Sequence, residues 1–370
     1  MKDFKQEEVA FMRLALSLAL KGRGYVEPNP LVGCVIVKGN KILGRGHHAK
    51  FGGPHAEINA LKAVASPEDA TMYVTLEPCC HWGKTPPCTD AIVKARIGEV
   101  VAACLDPNPK VNGKGLESLK KAGIKVRVGL LESEAKKTNA PYFKVTTTGI
   151  PYVIAKWAMT LDGKIATVTG DSKWISDEKA RRYWHRFRAT AAAVIVGVNT
   201  ILRDDPLLTV RYAGTRRKLA RIVLDAMART PLTASVVRTA SRVPTIIVVG
   251  GKAPLARRKA LESAGCEVLR IGTKRGRFIN LKSLLQVLGK RSFTTILIEG
   301  GGEVIASAFE DGVVDRVLCF VSPKIVGGRL AKSPVEGIGI RAVRDAVRLE
   351  EVKLKRFYDT FLIDGVVAKS

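Results

Sequence analysis

Between residues 4 and 21 apolar side chains recur at three- and four-residue steps (Val9, Met12, Leu16, Ala19), the spacing of one helical face. A Gly- and Pro-bearing stretch from Gly22 to Pro30 then feeds a β-type run at Leu31–Val37, which turns at Gly39-Asn40 into a second run, Lys41–Gly46. Helical spacing returns over Ala56–Ala65 and Thr89–Ala95, and β-type runs stand at Thr71–Leu76 and Glu99–Cys104. Alternation of this kind predicts an α/β layer sandwich.

A polar stretch at Val145–Pro151, with three consecutive threonines, precedes a fresh strand signal at Tyr152–Trp157. A domain boundary is expected there, dividing the chain into residues 1–146 and 147–370. Beyond it strands are expected near Ala192–Val196, Ala220–Leu224, Thr245–Val249 and Thr294–Ile298, with helices near Asp177–Arg188, Pro254–Ser263 and Leu281–Leu288. The second half therefore also reads as α/β. A length of 370 residues favours two such domains over one.

Composition narrows the setting. No apolar run reaches the roughly 18 residues of a membrane span, and the amphipathic opening lacks the cleavage pattern of a signal peptide. A cytoplasmic enzyme without a membrane partner is expected. Seven cysteines at irregular spacing argue against a disulfide framework. Cys34, Cys104, Cys266 and Cys319 sit in apolar settings and read as core thiols, whereas Cys79, Cys80 and Cys88 crowd into ten residues rich in proline and glycine. The formal charge of +27 invites a nucleic-acid partner. Yet the basic residues are dispersed, with no basic tail or aromatic-interleaved stripe, so phosphorylated small molecules, or merely a solvated basic surface, fit the charge better than nucleic acid, which is not an expected partner.

The chemistry is densest at His55-Ala56-Glu57, with Glu77-Pro78-Cys79 and Pro87-Cys88 downstream. One imidazole and two thiolates can hold zinc with an open position for water, and a carboxylate that is not a ligand can carry the water's proton to a leaving amine. Glu57 is placed for that role. Eight residues separate Cys79 from Cys88, where zinc deaminases commonly have two, so Cys80 and His81 stand as alternative ligands.

Pro28-Asn29-Pro30-Leu31-Val32-Gly33, Gly44-Arg45-Gly46-His47-His48, His55-Ala56-Glu57, and Cys79 through Gly83-Lys84-Thr85-Pro86-Pro87-Cys88 together resemble the deaminase half of the bifunctional riboflavin-biosynthesis deaminase/reductase family. Asp106-Pro107-Asn108-Pro109 continues the match. The resemblance implies a cytidine-deaminase-like three-layer sandwich with zinc on His55, Cys79 and Cys88, and Glu57 as proton shuttle. It also implies that Asn29, His48, Lys84 and Asn108 line the pyrimidine and phosphate site. Read without it, Asn29 and Asn108 are ordinary turn residues beside prolines and Lys84 a solvated loop charge.

In the second half, the β-type run Thr295–Ile298, the turn Glu299-Gly300-Gly301-Gly302 and the helical Glu303–Phe309 form a layout that can bring backbone N–H groups against a pyrophosphate, although no Rossmann fingerprint accompanies it. The runs Lys156–Ala166, Asp171–Ile175, Gly197–Arg211 and Pro323–Gly328 look like the reductase half of the same family, whose fold is dihydrofolate-reductase-like. By that resemblance Ala158, Trp174, Thr200, Asp204 and the loop at Gly301 and Gly302 contact NADPH. Ser172, Arg188, Leu208, Arg211 and Glu299 contact the ribosyl-phosphate substrate, with Arg188 and Arg211 able to grip a phosphate bidentately. Lys156 and Asp204 are the candidates for assisting ring opening or proton delivery; otherwise Lys156 is a strand-end lysine facing solvent.

The reading is then deamination of 2,5-diamino-6-ribosylamino-4(3H)-pyrimidinone 5′-phosphate followed by NADPH-dependent reduction of its ribosyl chain to ribityl, in a homo-oligomer. A nucleic-acid base deaminase with a fused binding domain is the competing reading, and it predicts steeply salt-dependent RNA binding.

Overall fold

In the computed structural model, which describes residues 4–212, 219–274, 276 and 278–368, the chain divides into the units Met1–Gly149 and Ile150–Ser370. The first unit runs α1 (Gln6–Ala19), β1 (Gly33–Lys38), β2 (Lys41–His47), α2 (Ala56–Leu61), β3 (Thr71–Val74), α3 (Cys88–Lys94), β4 (Glu99–Ala102), α4 (Lys114–Lys121), β5 (Lys125–Val128), α5 (Glu132–Thr138) and α6 (Ala140–Thr148). Its sheet has the order β2-β1-β3-β4-β5, antiparallel at the hairpin end and parallel from β3 onward.

Alternate residues of each strand feed two cores. Cys34, Ile36, Met72 and Val74 face Ala56 and Ala60 of α2, Ile92 of α3 and Leu119 of α4. Val35, Val37, Tyr73 and Val101 face Met12, Ala15 and Leu18 of α1. Sheet residues buried on both faces explain why β1 reads as a continuous apolar run. A Cβ on Gly46 would stand 2.2 Å from Ala56 O, so only glycine lets the start of α2 seat this closely on β2.

The threonines of the stretch where the domain boundary is expected complete α6. Thr147 and Thr148 donate their hydroxyl hydrogens back to Phe143 O and Lys144 O, and Gly149 ends the helix at φ 70°.

The second unit runs β6 (Tyr152–Thr160), α7 (Glu178–Arg188), β7 (Ala193–Gly197), α8 (Val198–Asp204), β8 (Ala220–Leu224), α9 (Ser235–Arg238), β9 (Thr245–Val249), α10 (Leu255–Ser263) and β10 (Glu267–Arg270). A two-residue ribbon β11 (Thr273–Lys274) and β12 (Phe278–Ile279) follows, then α11 (Leu281–Lys290), β13 (Thr295–Ile298), α12 (Gly302–Glu310), β14 (Arg316–Ser322), β15 (Leu349–Arg356) and β16 (Phe361–Val367). Nine strands form one sheet in the order β10-β9-β8-β7-β13-β6-β14-β16-β15, parallel as far as β14 and antiparallel beyond it. One face packs on α7, α9 and α10 through Trp184, Val236 and Leu261. The other packs on α11 and α12 through Leu284, Leu285, Leu288 and Ile305. The carboxyl ends of β6, β7 and β13 thus lie side by side, where open parallel sheets present ligand sites.

Candidate active sites

In the first unit His55 is the N-cap residue of α2 and Cys88 opens α3, so two helix starts meet the loop that carries Cys79. The ligand atoms of His55, Cys79 and Cys88 all lie within 4.8 Å of one another. His55 Nδ1 is 3.2 Å from Cys88 Sγ and 3.5 Å from Cys79 Sγ, while Nε2 lies 3.5 Å from Thr85 Oγ1. Nδ1 therefore faces the thiols, and Nε2–H has Thr85 as its acceptor. Cys80 and His81, the alternative ligands, stand outside the cluster: the Cys80 thiol turns to Lys110 O.

The hydrogen bond from Cys88 holds the Cys79 thiol well below its usual range, and the same bond with burial pushes Cys88 far up, so the proton shared between the two sulfurs rests on Cys88. One imidazole and two thiols at this separation match the borderline-soft donor set of zinc, which would displace the shared proton. Glu57, in the first turn of α2, is 3 % exposed, and its Oε2 is buried without a partner. Burial, then the nearby Cys79, raise its carboxyl to about 7. An orphaned carboxylate oxygen beside a metal-ligand cluster fits a site meant to hold a water.

His48 Nδ1 donates to Pro54 O at 3.0 Å, which leaves Nε2 to accept from Asn29 Nδ2 at 3.2 Å. Burial lowers the His48 pKa, favouring this neutral ring. Its edge meets the His55 ring at 5.3 Å between centroids. Asn29 keeps its Oδ1 and a second N–H for a ligand. Lys84 is exposed, with its ammonium 3.9 Å from the Phe51 ring centroid. Asn108 sits in a turn whose Oδ1 accepts from Lys110 N. That turn is held by buried Glu77, whose two oxygens accept from the backbone N–H groups of Asp106, Gly113, Gly115 and Leu116.

In the second unit a cavity of about 890 Å³ opens at the ends of β6, β7 and β13. Lys156, Ala158, Ser172, Trp174, Arg188 and Thr200 line it, as do Asp204, Arg211, Glu299, Gly301 and Gly302. Gly301 holds φ 81° and starts α12, turning the first N–H groups of that helix toward the cavity. A Cβ on Gly302 would stand 2.7 Å from Ser333 O, so the turn is pinned from behind by the 333–336 segment. An anionic dinucleotide fits this cradle.

Lys156 does not face solvent. Its ammonium lies 5.1 Å from the Trp184 ring and 5.4 Å from that of Phe320, and burial lowers its pKa to about 8 against the opposing pull of Glu299. The Glu299 carboxylate takes Arg188 Nε at 2.6 Å and Arg188 Nη2 on its two oxygens, and also accepts from Trp184 Nε1 at 3.0 Å. Burial pushes Glu299 up, but Arg188 overrides it and holds the carboxyl below its ordinary range.

Two expectations change here. Arg188 does not offer a phosphate its Nε/Nη2 edge, because Glu299 occupies that edge, and Thr209 O takes one of the two Nη1 hydrogens. The Leu208 side chain is 7 % exposed in the core beside Val196 and Val223 and does not line the cavity; with φ 51°, what it can offer a ligand is its backbone. Thr85, the anchoring role of Glu77, and Trp184 escaped the sequence reading. Thr85 lies inside the quoted Gly-Lys-Thr-Pro-Pro run, which was the available signal for it.

Hydrolysis of an amine on zinc and reduction by a dinucleotide are the chemistries these two sites can support, which defines the class as a fused deaminase and reductase. Residues 5–104 match the model of the cytidine and deoxycytidylate deaminase zinc-binding region, and residues 151–363 that of the RibD C-terminal domain. The chain is 44 % identical over 354 residues to the riboflavin biosynthesis protein RibD of Aquifex aeolicus, covering 95 % of this chain and 96 % of that one. It is 39 % identical to the RibD of Escherichia coli over 86 % of this chain and 88 % of that one. The structure of Acinetobacter baumannii RibD superposes with a TM-score of 0.86 at 35 % identity over 98 % and 99 % of the two chains. That of a Thermotoga maritima diaminohydroxyphosphoribosylaminopyrimidine deaminase/5-amino-6-(5-phosphoribosylamino)uracil reductase gives 0.84 at 35 %, with the same coverage. The chain belongs to the RibD family, the bifunctional deaminase/reductases of riboflavin biosynthesis.

Proposed function

We propose that Met1–Gly149 deaminates 2,5-diamino-6-ribosylamino-4(3H)-pyrimidinone 5′-phosphate and that Ile150–Ser370 then reduces the ribosyl chain to ribityl. The observation that carries the first step is the His55, Cys79 and Cys88 cluster beside the buried, unpartnered Glu57 Oε2. Zinc held by those three residues supplies Lewis acidity that brings a water's pKa toward neutrality. With zinc in place, Glu57 would take one proton from the water as its oxygen bonds to the ring carbon and deliver it to the adjacent ring nitrogen, then carry the proton of the added hydroxyl to the amino nitrogen, so that ammonia leaves and a carbonyl remains beside the protonated ring nitrogen. Asn29, oriented by His48, together with Asn108 on the Glu77-anchored turn, holds the pyrimidine. Lys84 meets the phosphate.

In the second unit the Gly301-Gly302 turn, Ala158, Trp174, Thr200 and Asp204 hold NADPH, which supplies a hydride for the sugar carbon C1′. Lys156, the buried amine, delivers a proton to the ring oxygen as the C1′–O bond breaks, with Asp204 as the second polar group near the reacting sugar. Glu299 contacts the ribosyl hydroxyls, and Ser172, the Leu208 backbone and Arg211 hold the rest of the substrate. Arg188 acts by holding Glu299.

The same reading places the enzyme in the cytoplasm, which suits seven cysteines all free of disulfides. Among the described residues no helix is long and apolar enough to cross a membrane. A homo-oligomer is supported by β15, the sheet's edge strand, on which Leu354 is 75 % exposed. The decisive test supplies the purified protein with the diamino substrate and NADPH. Ammonia release followed by NADPH oxidation supports the proposal; absence of both overturns it.

A further inference from the structure

Arg211 donates its backbone N–H to His185 Nδ1 at 3.2 Å. A backbone amide can only donate, so Nδ1 is the bare nitrogen and the neutral ring carries its proton on Nε2. His185 lies on α7 three residues before Arg188, is 6 % exposed and lines the same cavity as Arg188 and Arg211. Among the described residues Nε2 meets no acceptor, and it is not among the polar atoms sealed from solvent. A donor therefore reaches the cavity wall with nothing to receive its proton.

The ring stays in that state. Burial, then the charges of Arg188 and Arg211, lower its pKa to about 4, with Lys156 adding to the effect and Glu299 opposing it. Protonating Nδ1 would also break the bond from Arg211. His185 is thus a neutral donor held among cations, which is the arrangement an anion completes.

An anion also needs it. Arg188 has given its bidentate edge to Glu299 and a further N–H to Thr209 O. Of the two arginines, the exposed Arg211 alone has its whole fork to present, Arg188 keeping one hydrogen on each Nη, and the three terminal oxygens of a phosphate call for further donors. We propose that His185 is a phosphate-binding residue of the reductase site: Nε2–H donates to the 5′-phosphate of the ribosyl substrate, while Nδ1 fixes the backbone from which Arg211 reaches the same group. This rests on the proposed function, in which the reduced substrate is phosphorylated.

Two substitutions separate the ring's two nitrogens. His185→Asn keeps an amide near Nδ1 and loses the donor at Nε2, whereas His185→Gln places an amide near Nε2. Each variant, with Arg211→Ala as a comparison, is assayed for reductase KM on the phosphorylated substrate and on its dephosphorylated counterpart, and for inhibition by inorganic phosphate. NADPH affinity by fluorescence reports that the site is folded. We expect His185→Asn to lower the KM preference for the phosphorylated substrate about tenfold or more, as loss of a hydrogen bond to a charged group does. Phosphate inhibition should weaken in parallel, and His185→Gln should recover most of both. If Arg211→Ala erodes the preference and His185→Asn does not, or if His185→Asn raises both KM values equally, the assignment of His185 is overturned and the phosphorylated-substrate reading stands. If no variant, Arg211→Ala included, changes the preference, that reading falls with it.

Discussion

Arg188 and Glu299, 111 residues apart, form a two-pronged ion pair with side chains only 10 % and 6 % exposed, so the floor of the reductase cavity is an ion pair joining α7 to the end of β13. Removing one member strands the other charge in the interior. Glu299→Ala should therefore cost the second unit about 3–5 kcal/mol and abolish NADPH oxidation, while ammonia release persists. Thermal unfolding beside the two activity assays checks this. An unchanged transition would show that the pair carries no structural load.

Glu57 is the sole carboxylate aimed at the zinc ligands from α2, and its proton is expected to travel with the water's. Glu57→Gln keeps the shape and removes the base. Ammonia release should drop by about 10²–10⁴-fold, the usual contribution of general acid–base catalysis, with zinc content and NADPH oxidation kept. Loss of zinc in this variant would instead make Glu57 a ligand.

Metal removal tests the division of labour. Dialysis against a chelator should silence ammonia release and leave reduction of the already deaminated substrate, since His55, Cys79 and Cys88 all belong to the first unit. Added zinc should restore it. A reductase that fails together with the deaminase would contradict two separate sites.

These residues differ in how openly the sequence displays them. His55 and Glu57 are two positions apart on one helix start, and the α/β alternation survives in strands such as β8 and β13, whose apolar runs are buried on both faces. Helix α4 left little trace because only Leu116 and Leu119 of its large side chains face the core. In β15 the residues are mostly exposed and a bulge between Glu350 and Lys353 shifts the register, so no two-residue alternation remains to be read. The occupancy of Arg188 by Glu299 could not be read from spacing at all. It depends on where α7 packs against the end of β13, and both residues alone look like substrate-binding charges.

Lys156 makes the pH dependence of reduction specific. With its amine lowered to about 8 by burial, the protonated form dominates below that pH and is lost above it. If it donates the proton, kcat/KM for NADPH oxidation should hold level with respect to this group on the acid side and fall about tenfold per unit above pH 8, about two and a half units earlier than an ordinary lysine would allow. Lys156→Arg, which keeps its proton, should remove that fall. A wild-type profile level to pH 10 would exclude Lys156 as the donor.

Arg221 links core stability to the substrate loop. It is fully buried, and its donors go to Leu207 O at 3.1 Å, Val236 O at 2.8 Å, Val243 O at 3.2 Å and the hydroxyls of Thr239 and Thr245. Among the described residues no carboxylate pairs with it, and burial lowers its pKa to about 10, still well above neutrality. The guanidinium is thus retained for its geometry: its N–H groups serve two hydroxyls and three carbonyls that converge from the loop at Leu207, from α9 and from the turn before β9. Arg221→Met fills much of the volume but leaves Leu207 O and one of Val236 O and Val243 O without a donor, since the single Thr245 hydroxyl hydrogen can serve only one of those two, each lost partner worth about 1–3 kcal/mol when buried. We expect a loss of roughly 3 kcal/mol or more in denaturant unfolding of the second unit. Because Leu207 precedes the loop from Leu208 to Arg211, the KM of the reductase should rise more than its kcat falls. A variant as stable as the parent would mean that those carbonyls find water instead; a stable variant with unchanged KM would uncouple Arg221 from the loop altogether.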